Sequence, residues 1–144
     1  MKINPSIFKS YDIRGIYPAD LNEEVALKIG QAFVEYTGVK KIIVGRDMRL
    51  SSLRLFKALV KGILSQGADV YDIGLVPTEG IYFATGRYDC KAGIMVTASH
   101  NPKEYNGFKM VQKQGAKLIL VIPGKDLIEA IQKFPLKNKG KIKK

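Results

Sequence analysis

Short apolar runs alternate with amphipathic stretches of helical spacing along most of this 144-residue chain. Three of the runs have the length and β-branched content of buried strands, at residues 41–44, 70–75 and 93–97. Apolar residues recur at helical spacing over residues 23–37 and 53–64, and a shorter helix is predicted from Pro77-Thr78 to Ala84. This alternation predicts an α/β domain in which helices cover a sheet.

The ends of the two longer helices carry recognisable signals. Asn22 is a good N-cap for the first, acidic residues follow it at the positive end of the helix dipole, and Gly38 can end the helix. Ser51 or Ser52 can cap the second helix, and Gly67 follows its end. The predicted apolar face of this second helix consists of Leu53, Phe56, Leu59, Val60, Ile63 and Leu64.

The C-terminal part of the domain changes character. Residues 108–111 and 117–121 predict a β-hairpin around Gln114-Gly115, which makes the expected sheet mixed rather than wholly parallel. A last helix is predicted over residues 126–134. We therefore expect a layered domain over residues 1–134, with a mixed β-sheet flanked by helices.

Residues 135–144 are polar, basic and without periodicity, which predicts a linker toward a second domain. Six lysines in the last twelve residues account for more than half of the net charge of +11. A basic nucleic-acid-binding fragment is the alternative interpretation. The lysines after Phe134 are not interleaved with aromatic side chains that could stack on bases, so we expect no nucleic-acid partner.

Other bulk features narrow the class of protein. No apolar run approaches the length needed to cross a bilayer, and the start does not read as a secretory signal, so a cytoplasmic protein without a membrane partner is expected. Cys90 is the single cysteine, which excludes an intrachain disulfide. We expect it to be buried or half-buried and to pack as a small apolar side chain.

Residues suited to phosphate chemistry collect in three segments, at 11–15, 45–52 and 97–109. Loops beyond the carboxyl ends of strands are where α/β sheets bind ligands. In the third segment, Ser99 beside His100, with Lys109 ten residues on, supplies a nucleophile, a proton acceptor and a cation. On composition alone, a surface loop of turn formers such as Asn106-Gly107 is the preferred interpretation.

The complete motifs change that preference. Thr-Ala-Ser-His-Asn-Pro at 97–102, followed by Tyr-Asn-Gly-Phe-Lys at 105–109, closely resembles the active-serine loop of the α-D-phosphohexomutases. Tyr-Asp-Ile-Arg-Gly at 11–15 resembles the opening motif of the phosphomannomutase/phosphoglucomutase branch. Gly45-Arg46-Asp47 with Arg49 and Ser51-Ser52 is also similar to the family, in the expected order. Three ordered motifs over a matching α/β pattern are specific, and they resemble the first domain of such an enzyme.

The resemblance implies an isomerase of carbohydrate metabolism that acts through a phosphorylated serine. Ser99 would carry a phosphoryl group and give it to a hexose 1- or 6-phosphate, with mannose or glucose as the hexose. The product of this transfer is a hexose bisphosphate intermediate. A magnesium ion would contact this chain only through the phosphoryl oxygen of Ser99, because its ligand loop belongs to the second domain of the family. The sugar is recognised by further domains of the parent enzyme, so the isolated chain should be nearly inactive. A phosphoglucosamine mutase domain is the alternative.

Site roles follow from the resemblance together with residue chemistry. Lys109 would neutralise the transferred group or move a proton, and its alternative is an exposed strand lysine. Arg14 would bind phosphate oxygens in a bidentate manner, with Tyr11 supporting that corner, and its alternative is a surface salt bridge.

The remaining candidates are less constrained by the residues alone. His100 would shuttle a proton or donate to phosphate, or only shape the loop. Asn101 is a candidate substrate- or phosphate-binding residue, and it is expected to hydrogen-bond within its own turn. Arg46 and Arg49 are candidate phosphate ligands, or they brace the loops together with Asp47.

Overall fold

The computed structural model describes residues 3–88, 90–114, 118–127, 130–132 and 142–143. The helices are α1 (Glu23–Thr37), α2 (Ser52–Ser65) and α3 (Glu79–Arg87). The strands are β1 (Ile13–Ile16), β2 (Lys41–Arg46), β3 (Asp69–Leu75), β4 (Ala92–Val96), β5 (Tyr105–Gln114), β6 (Leu118–Ile122) and β7 (Ile142–Lys143). The described helices include none that is long and apolar enough to span a bilayer.

The strands form one mixed sheet in the order β1-β5-β4-β2-β3-β7, with β6 also paired to β5. Strand β2 runs parallel to β3 and β4, whereas β5 runs antiparallel to β1, β4 and β6. The mixed sheet and the antiparallel β5–β6 pair were both predicted, and both are confirmed. The carboxyl ends of β2 and β4 lie side by side, because Arg46 pairs with Val96.

Period-two alternation directs neighbouring side chains to opposite faces of the sheet. Ile42 and Val44 of β2 belong to the core that α1 and α2 cover. Ile43, between them, belongs to a smaller core with Ile81 and Ala84 of α3. Helices therefore cover both faces, which confirms the predicted layered α/β fold; we call the two sides the α1/α2 face and the α3 face.

Helix α1 has the predicted bounds because both of its end signals operate. The Asn22 side chain accepts a hydrogen bond of 3.0 Å from the Val25 amide, and Gly38 adopts a left-handed φ of 67°. At α2, Ser51 occupies the N-cap position but makes no side-chain cap bond. Leu53, predicted on the apolar face, is 45% exposed, while Leu55 is buried in its place.

The α-helix predicted over residues 126–134 is wrong where that segment is described. The chain there forms 3₁₀ turns at Gly124–Leu127 and Ala130–Gln132. The Lys125 amide bonds to the Lys9 carbonyl, and the Leu127 side chain is fully buried. These tertiary contacts outweigh the helix propensity of so short a segment.

The predicted linker falls mostly outside the described residues. Its described part, Ile142–Lys143, pairs in parallel with Val70 and Tyr71 of β3. The turn predicted at Gln114-Gly115 also lies largely outside them, although β5 is described to Gln114. Cys90 is buried, as expected.

The N-cap of α1 gives a stability prediction. Replacing Asn22 with alanine leaves the Val25 amide without its acceptor, so we expect the free energy of unfolding to fall by about 1 kcal/mol. Thr78 is the matched control, because it holds the N-cap position of α3 without a side-chain cap bond. Thr78→Ala should change stability by less than about 0.5 kcal/mol in the same urea titration. Equal losses in the two variants would contradict the capping argument.

Candidate active site

Ser99 lies three residues beyond the end of β4, in an exposed turn. Its φ of 55° is the one positive φ at a non-glycine position in the described chain. Such a backbone conformation costs on the order of 1 kcal/mol for a residue with a Cβ and has to be held by its surroundings. The Ser99 amide donates to Oγ1 of Thr97 at 3.0 Å, and the hydroxyl-bearing side chain remains accessible.

The rest of this turn is closed by its own hydrogen bonds. Asn101 donates to the Ala98 carbonyl twice, from its amide at 3.1 Å and from Nδ2 at 2.8 Å. The Tyr105 amide donates to the Pro102 carbonyl at 3.0 Å. Asn101 thus bonds within its own turn. We call residues 97–105 the serine loop.

Arg14 and Lys109 lie on the α3 face beside this loop. Arg14 pairs with Gly107 across β1 and β5, and Gly107 in turn accepts a 2.9 Å hydrogen bond from the Thr97 amide. Lys109, two residues along β5 on the same face, pairs with Met95 of β4. These pairings bring the two cations predicted for the site to the strands and the sheet end from which the serine loop emerges.

Arg14 is held by Asp12, a residue to which the sequence argument gave no role. Its Nε donates to Oδ1 of Asp12 at 3.1 Å, with the Asp12 side chain 12% exposed and that of Arg14 37% exposed. In the described part of the chain, neither terminal nitrogen of Arg14 has a hydrogen-bond partner, so both can bind a phosphate. Tyr11, predicted to support this corner, is 76% exposed, and the support comes from Asp12 instead.

Arg49 does not have the phosphate-binding geometry predicted for it. Its two terminal nitrogens donate to four backbone carbonyls between Ser99 and Tyr105, and its Nε forms an ion pair with Asp47 at 3.4 Å. A guanidinium has four donors on its terminal nitrogens and one on Nε, so the fork that would bind a phosphate is occupied by the loop backbone and Nε lies beside Asp47. The bracing role that the sequence left open is the one the structure shows.

Arg46 is also placed differently from the prediction. Its guanidinium lies 4.8 Å from the centre of the Phe56 ring and 3.6 Å from Oδ1 of Asp72. Phe56 belongs to α2, so Arg46 extends over the α1/α2 face, away from Arg14 and Lys109. Alternation along β2 after Val44 accounts for this direction, which the motif alone did not specify.

A polar network joins the start of α2 to β5 behind the serine loop. Asp47 accepts hydrogen bonds from Oγ of Ser52 and from the Arg49 amide. Nδ2 of the fully buried Asn106 donates to Oγ of Ser51 at 2.8 Å and to Oγ of Ser52 at 2.9 Å. Sequence reasoning assigned Asn106-Gly107 to a turn, but both residues lie inside β5. The sequence carries no signal for this network, because the serine partners of Asn106 lie more than 50 residues away along the chain.

Exposed side chains occur in the serine loop and in the loop after β2. His100 is exposed beside Ser99, and Met48 and Leu50 are 86% and 99% exposed. The described residues contain no group of three or more His, Cys, Asp or Glu side chains that could hold a metal ion.

Comparison with a family model gives a match over residues 5–133, and the description of that model is phosphoglucomutase/phosphomannomutase, alpha/beta/alpha domain I. A curated phosphomannomutase of Salmonella montevideo is 51% identical over 116 residues, which are 81% of this chain and 25% of that protein. A Klebsiella pneumoniae phosphomannomutase is 52% identical over 106 residues, which are 74% of this chain and 68% of that protein. The chain spans about a quarter of the length of most curated relatives it matches.

A solved structure supports the same comparison. The phosphoglucomutase/phosphomannomutase family protein of Burkholderia thailandensis superimposes with a TM-score of 0.87 at 38% sequence identity. The match covers 99% of this chain and 33% of the Burkholderia chain. The likeness thus extends over the whole sheet, including the strands that carry the serine loop, Arg14 and Lys109.

Proposed function

Because the chain belongs to the phosphoglucomutase/phosphomannomutase family, as its alpha/beta/alpha domain I, we propose that it supplies the phosphorylated serine, Ser99, of a phosphohexomutase. The observation that supports this most is the position of an exposed serine, held in a left-handed turn, beside two cations on one face of the sheet. A phosphoryl group needs an accessible oxygen to carry it and positive charge to balance its equatorial oxygens.

The proposed reaction has two transfers through the same serine. First, the hydroxyl of a hexose 1- or 6-phosphate attacks phosphoserine; its O–P bond forms as the Oγ–P bond of Ser99 breaks, and the hydroxyl proton leaves to a base. The product is a hexose bisphosphate. Oγ of Ser99 takes up a proton as it leaves, and the bisphosphate turns over in the site. In the second transfer the Ser99 hydroxyl attacks the other phosphoryl group: the new Oγ–P bond forms as the sugar O–P bond breaks, and the serine proton passes to the sugar oxygen. Phosphoserine is thereby restored and the isomeric monophosphate is released.

Each side chain near Ser99 has a proposed part in these transfers. The terminal nitrogens of Arg14 bind the phosphoryl oxygens, with Asp12 holding Nε at 3.1 Å so that the guanidinium fork is aimed in advance. Lys109, half-buried on the same face, balances negative charge on the transferred phosphoryl group. His100, exposed next to Ser99, donates to the phosphoryl group from its ring.

Substrate and metal are proposed from the relatives. The curated relatives are named phosphomannomutases or phosphohexose mutases, which supports mannose or glucose phosphates as the substrate. The further length of those relatives supports additional domains that recognise the sugar and supply the magnesium ligands. The phosphoryl oxygen on Ser99 would be this chain's one ligand to that ion. We use "full-length enzyme" for the protein in which this domain acts with those parts.

The test of the proposed function is a covalent phosphate on Ser99. The full-length enzyme, purified from cells or incubated with hexose 1,6-bisphosphate, should show an intact mass that phosphatase lowers by one phosphoryl group. Fragmentation of the peptide should place the group on Ser99. Ser51 and Ser52 serve as internal controls, because their hydroxyls are engaged with Asn106 and Asp47. A phosphate on a different serine, or none after incubation with the bisphosphate, would refute the proposal.

A further inference from the structure

The serine loop wraps around the side chain of Arg49, which comes from the loop after β2. The guanidinium donates to four backbone carbonyls, those of Ser99 at 2.9 Å, Asn101 at 2.7 Å, Pro102 at 2.7 Å and Tyr105 at 3.0 Å. The Arg49 side chain is only 15% exposed. One cation therefore binds four backbone carbonyls spread along the loop, including that of Ser99 itself.

Arg49 is in turn fixed by the structure behind it. Its Nε lies 3.4 Å from Oδ2 of Asp47, and its amide donates to Oδ1 of the same carboxylate at 3.1 Å. The Asp47 amide donates to the Val96 carbonyl at the end of β4, and the carboxylate also accepts from Ser52 at the start of α2. The guanidinium thus has a defined position relative to the strand that leads into the loop.

The hydrogen bonds of Arg49 account for the conformation of Ser99. A left-handed φ of 55° is unfavourable for serine, and it persists only where neighbouring contacts determine it. The bond from Arg49 to the Ser99 carbonyl, together with the bond from the Ser99 amide to Thr97, determines the peptide on both sides of this residue. Because both bonds use backbone atoms, the hydroxyl is left free.

We infer that Arg49 is a positioning residue for phosphoryl transfer: it holds the serine loop so that Oγ of Ser99 meets its reaction partner in line, without touching the substrate itself. The inference rests on the proposed function and deepens it. Lysine cannot replace arginine here, because one ammonium has three donors and no planar fork to span four carbonyls. A misplacement of a reacting atom by about 1 Å costs on the order of 10²-fold in rate.

The experiment compares Arg49→Lys and Arg49→Ala with wild type in the full-length enzyme. We expect kcat per folded molecule to fall on the order of 10²-fold in both variants, while KM for the sugar phosphate changes less than threefold or so. Low concentrations of free guanidinium should restore part of kcat in Arg49→Ala and none in Arg49→Lys. Arg87→Lys and Arg87→Ala are the controls, since Arg87 is an exposed arginine at the C-terminal end of α3.

A second measurement separates positioning from folding. Hydrogen exchange of the amides in residues 98–106 should become faster in both Arg49 variants, while exchange in β2 and β4 stays as in wild type. Wild-type kcat in Arg49→Lys, or unchanged exchange in the loop, would overturn the inference and leave the phosphoserine proposal intact. A loss of activity explained entirely by a smaller folded fraction would also overturn it. Wild-type enzyme without phosphate on Ser99 would instead refute the proposed function, which the mass measurement reports separately.

Discussion

Replacing Ser99 with alanine should remove turnover from the full-length enzyme, with kcat lower by on the order of 10⁴-fold or more. The variant lacks the oxygen that carries the phosphoryl group between the two half-reactions. Positioned cations such as Arg14 and Lys109 remain, but they stabilise a transfer that no longer has a covalent acceptor. The measurement is conversion of hexose 1-phosphate to hexose 6-phosphate, with the intact mass recorded on the same sample.

The loss should be chemical rather than structural. The Ser99 side chain is exposed, and two bonds fix its backbone: its amide donates to Oγ1 of Thr97, and its carbonyl accepts from Arg49. Ser99→Ala should therefore keep its free energy of unfolding within about 0.5 kcal/mol of wild type. Ser6→Ala, at an exposed serine in the N-terminal segment, should turn over normally. Substantial turnover in Ser99→Ala would place the phosphoryl carrier elsewhere.

The first helix could be predicted from sequence because local chemistry determines it. Asn22 and Gly38 act on amides and carbonyls within a few residues of themselves, so their effect can be read without tertiary structure. The layered fold could be predicted for a related reason, since period-two and helical patterns state which faces must be buried. The serine loop was located because it follows a strand that the pattern identifies.

The role of Arg49 could not be predicted in the same way. Its carbonyl acceptors lie about fifty residues further along the chain, and backbone carbonyls have no signature in a sequence. A motif with two arginines beside a predicted phosphate site therefore left phosphate binding and bracing as equal alternatives for both. In the structure, Arg46 contacts Asp72 and the Phe56 ring, whereas Arg49 donates hydrogen bonds to the loop backbone. The final 3₁₀ turns escaped prediction because distant contacts at Lys125 and Leu127 decide them.

The two faces of the sheet have different roles near the carboxyl ends of β2 and β4. On the α1/α2 face, Asn106 and Arg46 point toward α2 and make structural bonds. On the α3 face, Arg14 and Lys109 keep donors that no described residue occupies. Because alternate residues of one strand face opposite ways, a single segment of β5 contributes Asn106 to the support and Lys109 to the proposed chemistry. Gly107 lies between them in β5, and the Arg14 side chain lies over it on the α3 face.

Replacing Gly107 with alanine should therefore damage both stability and activity. A Cβ at this position would overlap the carbonyl oxygen of Ile13 and would approach Cγ of Arg14 to 3.0 Å. Backbone atoms cannot yield as a flexible side chain does, so β1 has to move away from β5. We expect the free energy of unfolding to fall by about 3 kcal/mol. We also expect kcat of the folded fraction to fall on the order of 10²-fold, because Arg14 moves with β1.

The matched control is Gly86→Ala, in helix α3, where a Cβ would meet no atom within 4 Å. That substitution should raise the free energy of unfolding by up to about 1 kcal/mol, since alanine favours a helix more than glycine does, and it should leave kcat unchanged. Urea titrations of both variants and of wild type measure the free energy of unfolding. Turnover without urea, at a temperature at which all three proteins are folded, measures kcat. If Gly107→Ala unfolds at the wild-type midpoint, then the close approach of β1 to β5 does not fix Arg14. If it is destabilised yet turns over normally, then the guanidinium of Arg14 does not need its place over Gly107 for phosphoryl transfer.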